Sequence, residues 1–380
     1  MTPEELNERI KTVARRHGVP AVAVAMVTES GSYTFVSGVR KHGTSTPASR
    51  KDKFLLATTS EFLTRIVLAR LVDQGVINWT DTIFDIMTEY QQYMDPGHRN
   101  TTIEMLSSDG FGISEDTPNL RDAEDGALYG YITKRSVNAR DGREAILLSY
   151  LGKPPDQPPG SVSLPMIQST LLLAFILEHV TGVVFEELMK REVLEPLGML
   201  ESGFGQPAIQ NGRDRSGSAP VQPWPHRPGT FGKRWSTLEV LDPVEHDLPP
   251  VMNPSSGVHT STSDLTRLLS FCLDGKDSLG MPLLSVESRA KLFASFWSCM
   301  YTHGGLFVAS PDVDDGEKGS VYTRSGRGSG FTARLWIAPA AGKAFWVMTN
   351  FDGRRGRDVL IEIASELCSI QRLILGMGTS

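Results

Sequence analysis

The alternation of polar and apolar stretches along the chain predicts its elements in order. Thr2 reads as an N-cap, with Pro3 at the first helical position and Glu5 three residues on, so a helix is expected to about Arg16. Gly18-Val19-Pro20 ends it. An apolar strand follows over Ala21–Val27, then a turn at Glu29-Ser30-Gly31-Ser32 and a second strand over Tyr33–Val39, which together are a hairpin signal. The middle of the chain is helix and loop: a short helix over Thr101–Leu106, then Ser107–Gly112, a helix over Arg143–Leu151 ending at Gly152, and a proline-rich loop over Lys153–Gly160. A strongly apolar helix spans Ser169–Thr181 and is closed by Gly182 at C′; another runs over Phe185–Leu194. Residues 205–256 are rich in Gly, Pro and Trp, and a long irregular segment of that kind reads as a pocket rim. A helix follows over Ser263–Leu273, with Thr262 or Ser263 as N-cap and Asp264 in the first turn. Strands at Phe331–Ile337 and Ala344–Asn350 are joined by a turn at Pro339–Gly342, and Asp358–Leu375 is a terminal helix. No internal repeat is present.

Composition narrows the function classes. The chain has 380 residues, 40% hydrophobic and 22% charged, an ordinary globular balance. Its formal net charge is −6, and the basic residues are scattered with no patch of interleaved aromatics, so nucleic acid is not an expected partner. The cysteines, Cys272, Cys299 and Cys368, are odd in number and widely spaced; they read as small buried hydrophobes rather than a disulfide framework or a zinc site. No His/Asp/Glu cluster has metal-ligand spacing, and no cofactor is expected. The polar, acidic start Met1–Leu6 lacks a basic and apolar leader, and no apolar run is long enough to span a bilayer. A soluble, cytoplasmic protein is the expectation.

Several stretches, in order and spacing, resemble the family of serine β-lactamases, penicillin-binding proteins and β-lactamase-like esterases. Leu68-Ala69-Arg70-Leu71-Val72-Asp73-Gln74-Gly75 followed by Asp81 is similar to the end of that family's nucleophile helix. Pro159-Gly160 with Ile176–Gly182 is similar to its second-motif helix, and Glu195-Pro196-Leu197-Gly198-Met199 to its Pro-Leu-Gly-Met signature. Ser256–Leu265 resembles its Gly-Gly-Leu-x-Ser-Thr-x-x-Asp-Leu run, and Gly330-Phe331 with Pro339 and Asn350 its last hairpin. The resemblance implies an α+β fold: an antiparallel sheet flanked by helices, plus an all-helical lobe, with the site between. Residues 1–56 and 257–380 would form the sheet lobe, 57–204 the helical lobe and 205–256 the pocket rim.

The positions at which the family carries its chemistry have changed together. Where the family has Ser-x-x-Lys, this chain has Thr58 and Glu61. Where it has Tyr-x-Asn, counting back from Gly182 gives Pro165, Met166 and Ile167. Its Lys-Thr-Gly or His-x-Gly falls at Arg324-Ser325-Gly326, counting back from Gly330; His303-Gly304-Gly305 stands too far upstream. The Leu-Leu-Thr-His-Thr-x-Gly loop of the esterases becomes Met105-Leu106-Ser107-Ser108-Asp109-Gly110. The standard acyl-enzyme route is therefore absent.

The remaining chemistry centres on Glu61, one turn after Thr58 on the same helix face. A desolvated carboxylate can serve as general base or acid. Thr58 could attack with Glu61 as base, although its β-branched side chain is stiff. Ser60 should point elsewhere and reads as structural. Arg324 stays protonated and can hold an anion but not shuttle a proton; it can equally pair with Glu61 and fill a dead site. Asp109 reads as a turn former in Asp-Gly, or a second acid. Ile167, Trp224, His259 and Gly326 complete the candidate substrate pocket, each also open to a packing role, with Trp235 and His226 as further candidates. Three functions are carried forward. One is proton-transfer chemistry (isomerisation, cyclisation, elimination or carbon–carbon cleavage) on a small, mostly apolar metabolite, of the secondary-metabolite kind, bearing an anionic or carbonyl group. The others are a residual esterase or acyltransferase using Thr58, and a non-catalytic binding protein.

Overall fold

The computed structural model describes residues 2–112, 130, 137–161, 167–209, 220–229, 237–294, 302, 305–309 and 319–375. Helix α1 spans Pro3–His17; the Thr2 side chain accepts from the Glu5 N–H and the Glu5 carboxylate accepts from the Thr2 N–H, the expected capping box. Strands β1 (Ala21–Thr28) and β2 (Gly31–Gly38) follow. The hairpin turn is tighter than the sequence suggested. Thr28 already pairs with Gly31, because Gly31 adopts φ 135, a backbone setting that glycine tolerates.

Short strands come next: β3 (Lys53–Leu55), β4 (Gly203–Phe204), β5 (His226–Pro228), β6 (Leu238–Val240) and β7 (Val258–Ser261). The chain then forms β8 (Phe307–Ala309), β9 (Val321–Gly328), β10 (Phe331–Ala338) and β11 (Lys343–Thr349). The main sheet has the order β2-β1-β11-β10-β9-β8. All its pairings are antiparallel, and β1 from the first part of the chain lies against β11 from the last, Val22 opposite Thr349. The fold is thus α+β, as expected.

Among the described residues there are six longer helices, counting α1: α2 (Glu61–Asp73), α3 (Ala139–Leu151), α4 (Ile167–Thr181), α5 (Thr262–Asp274) and α6 (Arg354–Leu375), of which α1, α5 and α6 pack on the main sheet. The N-cap of α5 is Ser261, whose hydroxyl accepts from the Asp264 N–H, one residue before the expected cap. The cause is β7, which hands the chain to the helix at Ser261 itself.

Strand β1 is buried on both sides, and its two residue sets differ. Val22, Val24 and Met26 pack with Leu6, Ile10 and Val13 of α1 and Val359, Leu360 and Ile363 of α6. Ala21, Ala23 and Ala25 join a second core with Leu265, Leu268 and Leu269 of α5 and with α2 and α4. Period-two alternation directs the sets to opposite faces, and the small alanines let helix α5 approach closely. Helices α2 and α4 are largely apolar and buried over most of their length, and the few polar side chains they bury, Glu61, Arg65 and Thr170 among them, must find partners inside. No helix among the described residues is long and apolar enough to cross a membrane.

Candidate active site

The site forms where the start of α2 meets β9. A 3-10 turn over Ala57–Ser60 runs directly into α2. Ala57 holds φ 48, a left-handed setting rare for a residue with a side chain. The two hydroxyls after Thr58 are consumed by the backbone: Thr59 Oγ1 donates to Leu56 O at 2.6 Å, and Ser60 Oγ to Ala57 O at 2.7 Å. Ser60 Oγ also accepts from the Val258 N–H at 3.3 Å, so it is structural. Thr58 differs. It is only half-buried between fully buried neighbours, and its hydroxyl has no hydrogen-bond partner among the described residues. Gly326 abuts this turn. A Cβ there would lie 2.5 Å from Thr59 N and 2.8 Å from both Thr58 N and Thr58 Oγ1, so only glycine lets β9 run this close.

Behind Thr58 lies a closed ring of four charges. Arg324 Nη2 is 2.5 Å from Glu61 Oε2, and Arg65 Nη1 is 3.4 Å from the same oxygen. Arg65 Nη2 donates to Asp109 Oδ1 at 2.7 Å. Arg324 Nη1 closes the ring at 3.9 Å from Asp109 Oδ2. Glu61, Arg65, Asp109 and Arg324 are 1%, 0%, 3% and 7% exposed. The arginines are satisfied further by the chain: Arg65 Nε donates to Ser107 O at 2.7 Å, Arg65 Nη1 to Glu61 O at 3.1 Å, Arg324 Nε to Thr58 O at 3.1 Å, and Arg324 Nη1 to Gly305 O. Charge-assisted bonds of this kind are what keeps buried ions tolerable.

Thr170 of α4 completes the arrangement. Its hydroxyl donates to Glu61 Oε2 at 2.7 Å and accepts from Arg65 Nη1 at 3.0 Å. Three donors therefore converge on Glu61 Oε2, while Oε1 receives none among the described residues. Asp109 is unlike Glu61. It follows the short helix Ile103–Ser107 at φ 61, a setting that Asp accepts more readily than most residues. Burial, opposed by Arg65 and reinforced by Glu61, raises its carboxyl to about 6. Asp109 thus sits in the turn that the sequence offered, with its carboxyl buried in the ring.

The predicted residues are thus partly brought together. Thr58, Glu61, Asp109, Arg324 and Gly326 gather at one place. Ile167 begins α4, half-buried against the core, one turn before Thr170; Pro165 and Met166 lie outside the described residues, as do Trp235, His303 and Cys299. Trp224 sits at the sheet end, its N–H donating to Arg40 O at 2.8 Å and its ring 3.5 Å beneath Lys41 Nζ. His259 is fully buried in the three-stranded sheet β3-β7-β4, with Nδ1 2.8 Å from Gly205 O; burial lowers it to about 4. His226 bridges His42 N and Asn350 O with its two ring nitrogens and is lowered by burial to about 4. No hydrogen bond or ion pair joins any of these three to the charge ring. Arg65 and Thr170 were not singled out by the sequence reading. The signal for Arg65 was present: it stands four residues after Glu61, in a helix whose neighbours leave it no polar face. Among the described residues no group of three His, Cys, Asp or Glu side chains is placed to hold a metal.

Comparisons with known proteins agree with this architecture. The family model described as Beta-lactamase matches residues 6–366. Penicillin-binding protein 4 of Amycolatopsis lactamdurans is 24% identical over 356 residues, 90% of this chain and 84% of that protein. The octameric penicillin-binding protein homologue from Pyrococcus abyssi superposes with a TM-score of 0.74 at 19% identity, over 97% of this chain and 78% of that chain. The D-amino acid amidase from Ochrobactrum anthropi SV3, complexed with L-phenylalanine amide, gives 0.72 at 16% identity, over 98% and 99%.

Proposed function

The chain belongs to the beta-lactamase family, and from that premise we propose an enzyme of this fold that moves a proton with Glu61 instead of forming a serine acyl-enzyme. Its substrate would be a small, mostly apolar molecule bound in front of Thr58, between the sheet and the helices. The reaction would be an isomerisation, cyclisation, elimination or carbon–carbon cleavage, of the kind met in secondary metabolism. Relatives of the fold named as amidases and amidohydrolases support an enzymatic reading. One observation carries the choice of group: Glu61 Oε2 is held by Arg65, Thr170 and Arg324, while Oε1 takes no donor. A carboxylate fixed at one oxygen and open at the other is preorganised to take or give a proton there. Arg324, bonded to both Thr58 O and Glu61 Oε2, ties the hydroxyl-bearing turn to the carboxylate. The test is Glu61→Gln, assayed by mass changes in a metabolite extract incubated with the protein. Turnover should fall by roughly 10²–10⁴-fold in a protein that still folds; an active Glu61→Gln protein rejects the reading.

A residual esterase or acyltransferase using Thr58 is favoured by one separate observation, the half-buried, unbonded Thr58 hydroxyl against the bare Cα of Gly326. Incubation with p-nitrophenyl butyrate and a chromogenic cephalosporin, followed by intact-protein mass spectrometry, tests it. A stoichiometric adduct absent from Thr58→Ala would make this the working mechanism.

A further inference from the structure

We infer that the site selects a neutral carbonyl compound with an N–H or O–H donor and rejects a carboxylate, an inference that rests on reading the place where Thr58 meets Glu61 as the substrate site. The starting point is the charge count of the ring. Two guanidiniums and two carboxylates cancel, and the cations are already spent. Arg65 gives Nε to Ser107 O, Nη1 to Glu61 and Thr170, and Nη2 to Asp109. Arg324 gives Nε to Thr58 O, Nη1 to Gly305 O and Nη2 to Glu61. Arg65 is fully buried and Arg324 7% exposed, so neither can serve an incoming anion without deserting a buried partner.

What the ring leaves open is negative: Glu61 Oε1, an acceptor without a donor. A ligand carboxylate placed there meets like charge in a site of reduced dielectric. An amide N–H or a hydroxyl meets an acceptor. The next cation along β9 does not alter this. Strand alternation turns Ser325 and Arg327 away from the face of Arg324 and Gly326, and Ser325 Oγ takes its hydrogen bond from Arg334 Nη1 at 3.1 Å on that other face. Beside the neutral ring, the Thr58 hydroxyl is a group able to donate to a carbonyl oxygen.

The decisive experiment compares phenylacetamide with phenylacetate, a pair that differs mainly in charge, by calorimetric titration at pH 7.5. The proteins are the wild type, Glu61→Gln and Asp109→Asn. Each variant removes one negative charge from the ring and leaves it net positive. The wild type should favour the amide, and each folded variant should shift the preference toward phenylacetate by about tenfold or more. Two variants guard against one failing to fold. Phenylacetate binding the wild type as tightly as phenylacetamide, or no gain of phenylacetate affinity in any folded variant, overturns the inference. Because the readout is equilibrium binding, it stands apart from the turnover test of Glu61: an active Glu61→Gln enzyme with a switched charge preference would sink the proton-transfer reading and keep this one.

Discussion

Replacing Arg65 by Met should reveal how much of the fold hangs on the charge ring. Met fills most of the arginine stem's volume but donates nothing. The substitution deletes bonds to Ser107 O at 2.7 Å, Thr170 at 3.0 Å and Asp109 at 2.7 Å. It leaves Asp109, 3% exposed, with only Arg324 at 3.9 Å. Removing one partner of a buried ion pair costs about 3–5 kcal/mol. For a chain of this length that corresponds to a melting temperature lower by about 5 °C. The cost should also depend on pH, with a definite sign. The Asp109 carboxyl is raised from 3.8 to about 6 in the folded protein. Between those values the native state holds a proton that the unfolded chain has released. The stability this contributes is complete below pH 4 and is lost as the pH rises through 6. Without Arg65 the ionised form of Asp109 is harder still to accommodate, so the Arg65→Met penalty should be larger at pH 8 than at pH 5. Adding Asp109→Asn to Arg65→Met should recover about 1–3 kcal/mol, the coupling expected of groups in contact. Melts followed by circular dichroism at pH 5, 6.5 and 8 on the four proteins of this cycle are the assay. A penalty below about 1 kcal/mol, equal at pH 5 and 8 and unchanged by Asp109→Asn, would refute the reasoning.

Other expectations follow from single residues. Thr58→Ala should leave stability within about 0.5 kcal/mol of wild type, since the hydroxyl bonds nothing, and chemical denaturation checks this. Gly326→Ala should cost about 1–3 kcal/mol, because its Cβ would fall 2.5 Å from a backbone nitrogen of the Thr58 turn; a melt showing no loss would mean that β9 can move aside. His226 and His259, both lowered from 6.5 to about 4, contribute stability that is complete above pH 6.5 and lost as pH falls through 4. Melting temperature should therefore drop across that window, and His226→Gln should flatten the drop by about half, the share of one histidine of the two.

The fold was legible because its signals are local and repeated: the Thr2 capping box, the apolar Ala21–Val27 run, the glycine after Thr181 and the hairpin around Pro339–Gly342 each specify backbone geometry within a few residues. The site was legible only in part. Register along motifs put Glu61 on one element and Arg324 on another, and they meet at 2.5 Å. The same method could not weigh Arg65 or Thr170, because both lie inside apolar helices where the family's motif positions give no prompt. What identifies Arg65 is physical: a cation in a helix with Phe62, Leu63, Ile66, Val67 and Leu68 all fully buried must find an anion inside. Trp224 and His259 were open to pocket or packing roles. Trp224 is held at the sheet end by Arg40, Lys41 and Asn350, and His259 by its strand neighbours, through contacts separated from them by long stretches of chain.

The seam between β1 and β11 sets a timetable for biosynthesis. The Ala21 N–H rests on Asn350 Oδ1, 329 positions away along the chain. At ribosomal speed the first hairpin waits roughly tens of seconds for its neighbour, with the valine and alanine faces of β1 uncovered throughout. The helices between are made before the sheet exists to receive them. Such a chain closes its longest loop last and folds slowly, so in the cell its yield should rest on whatever shelters that first hairpin until the final strand emerges.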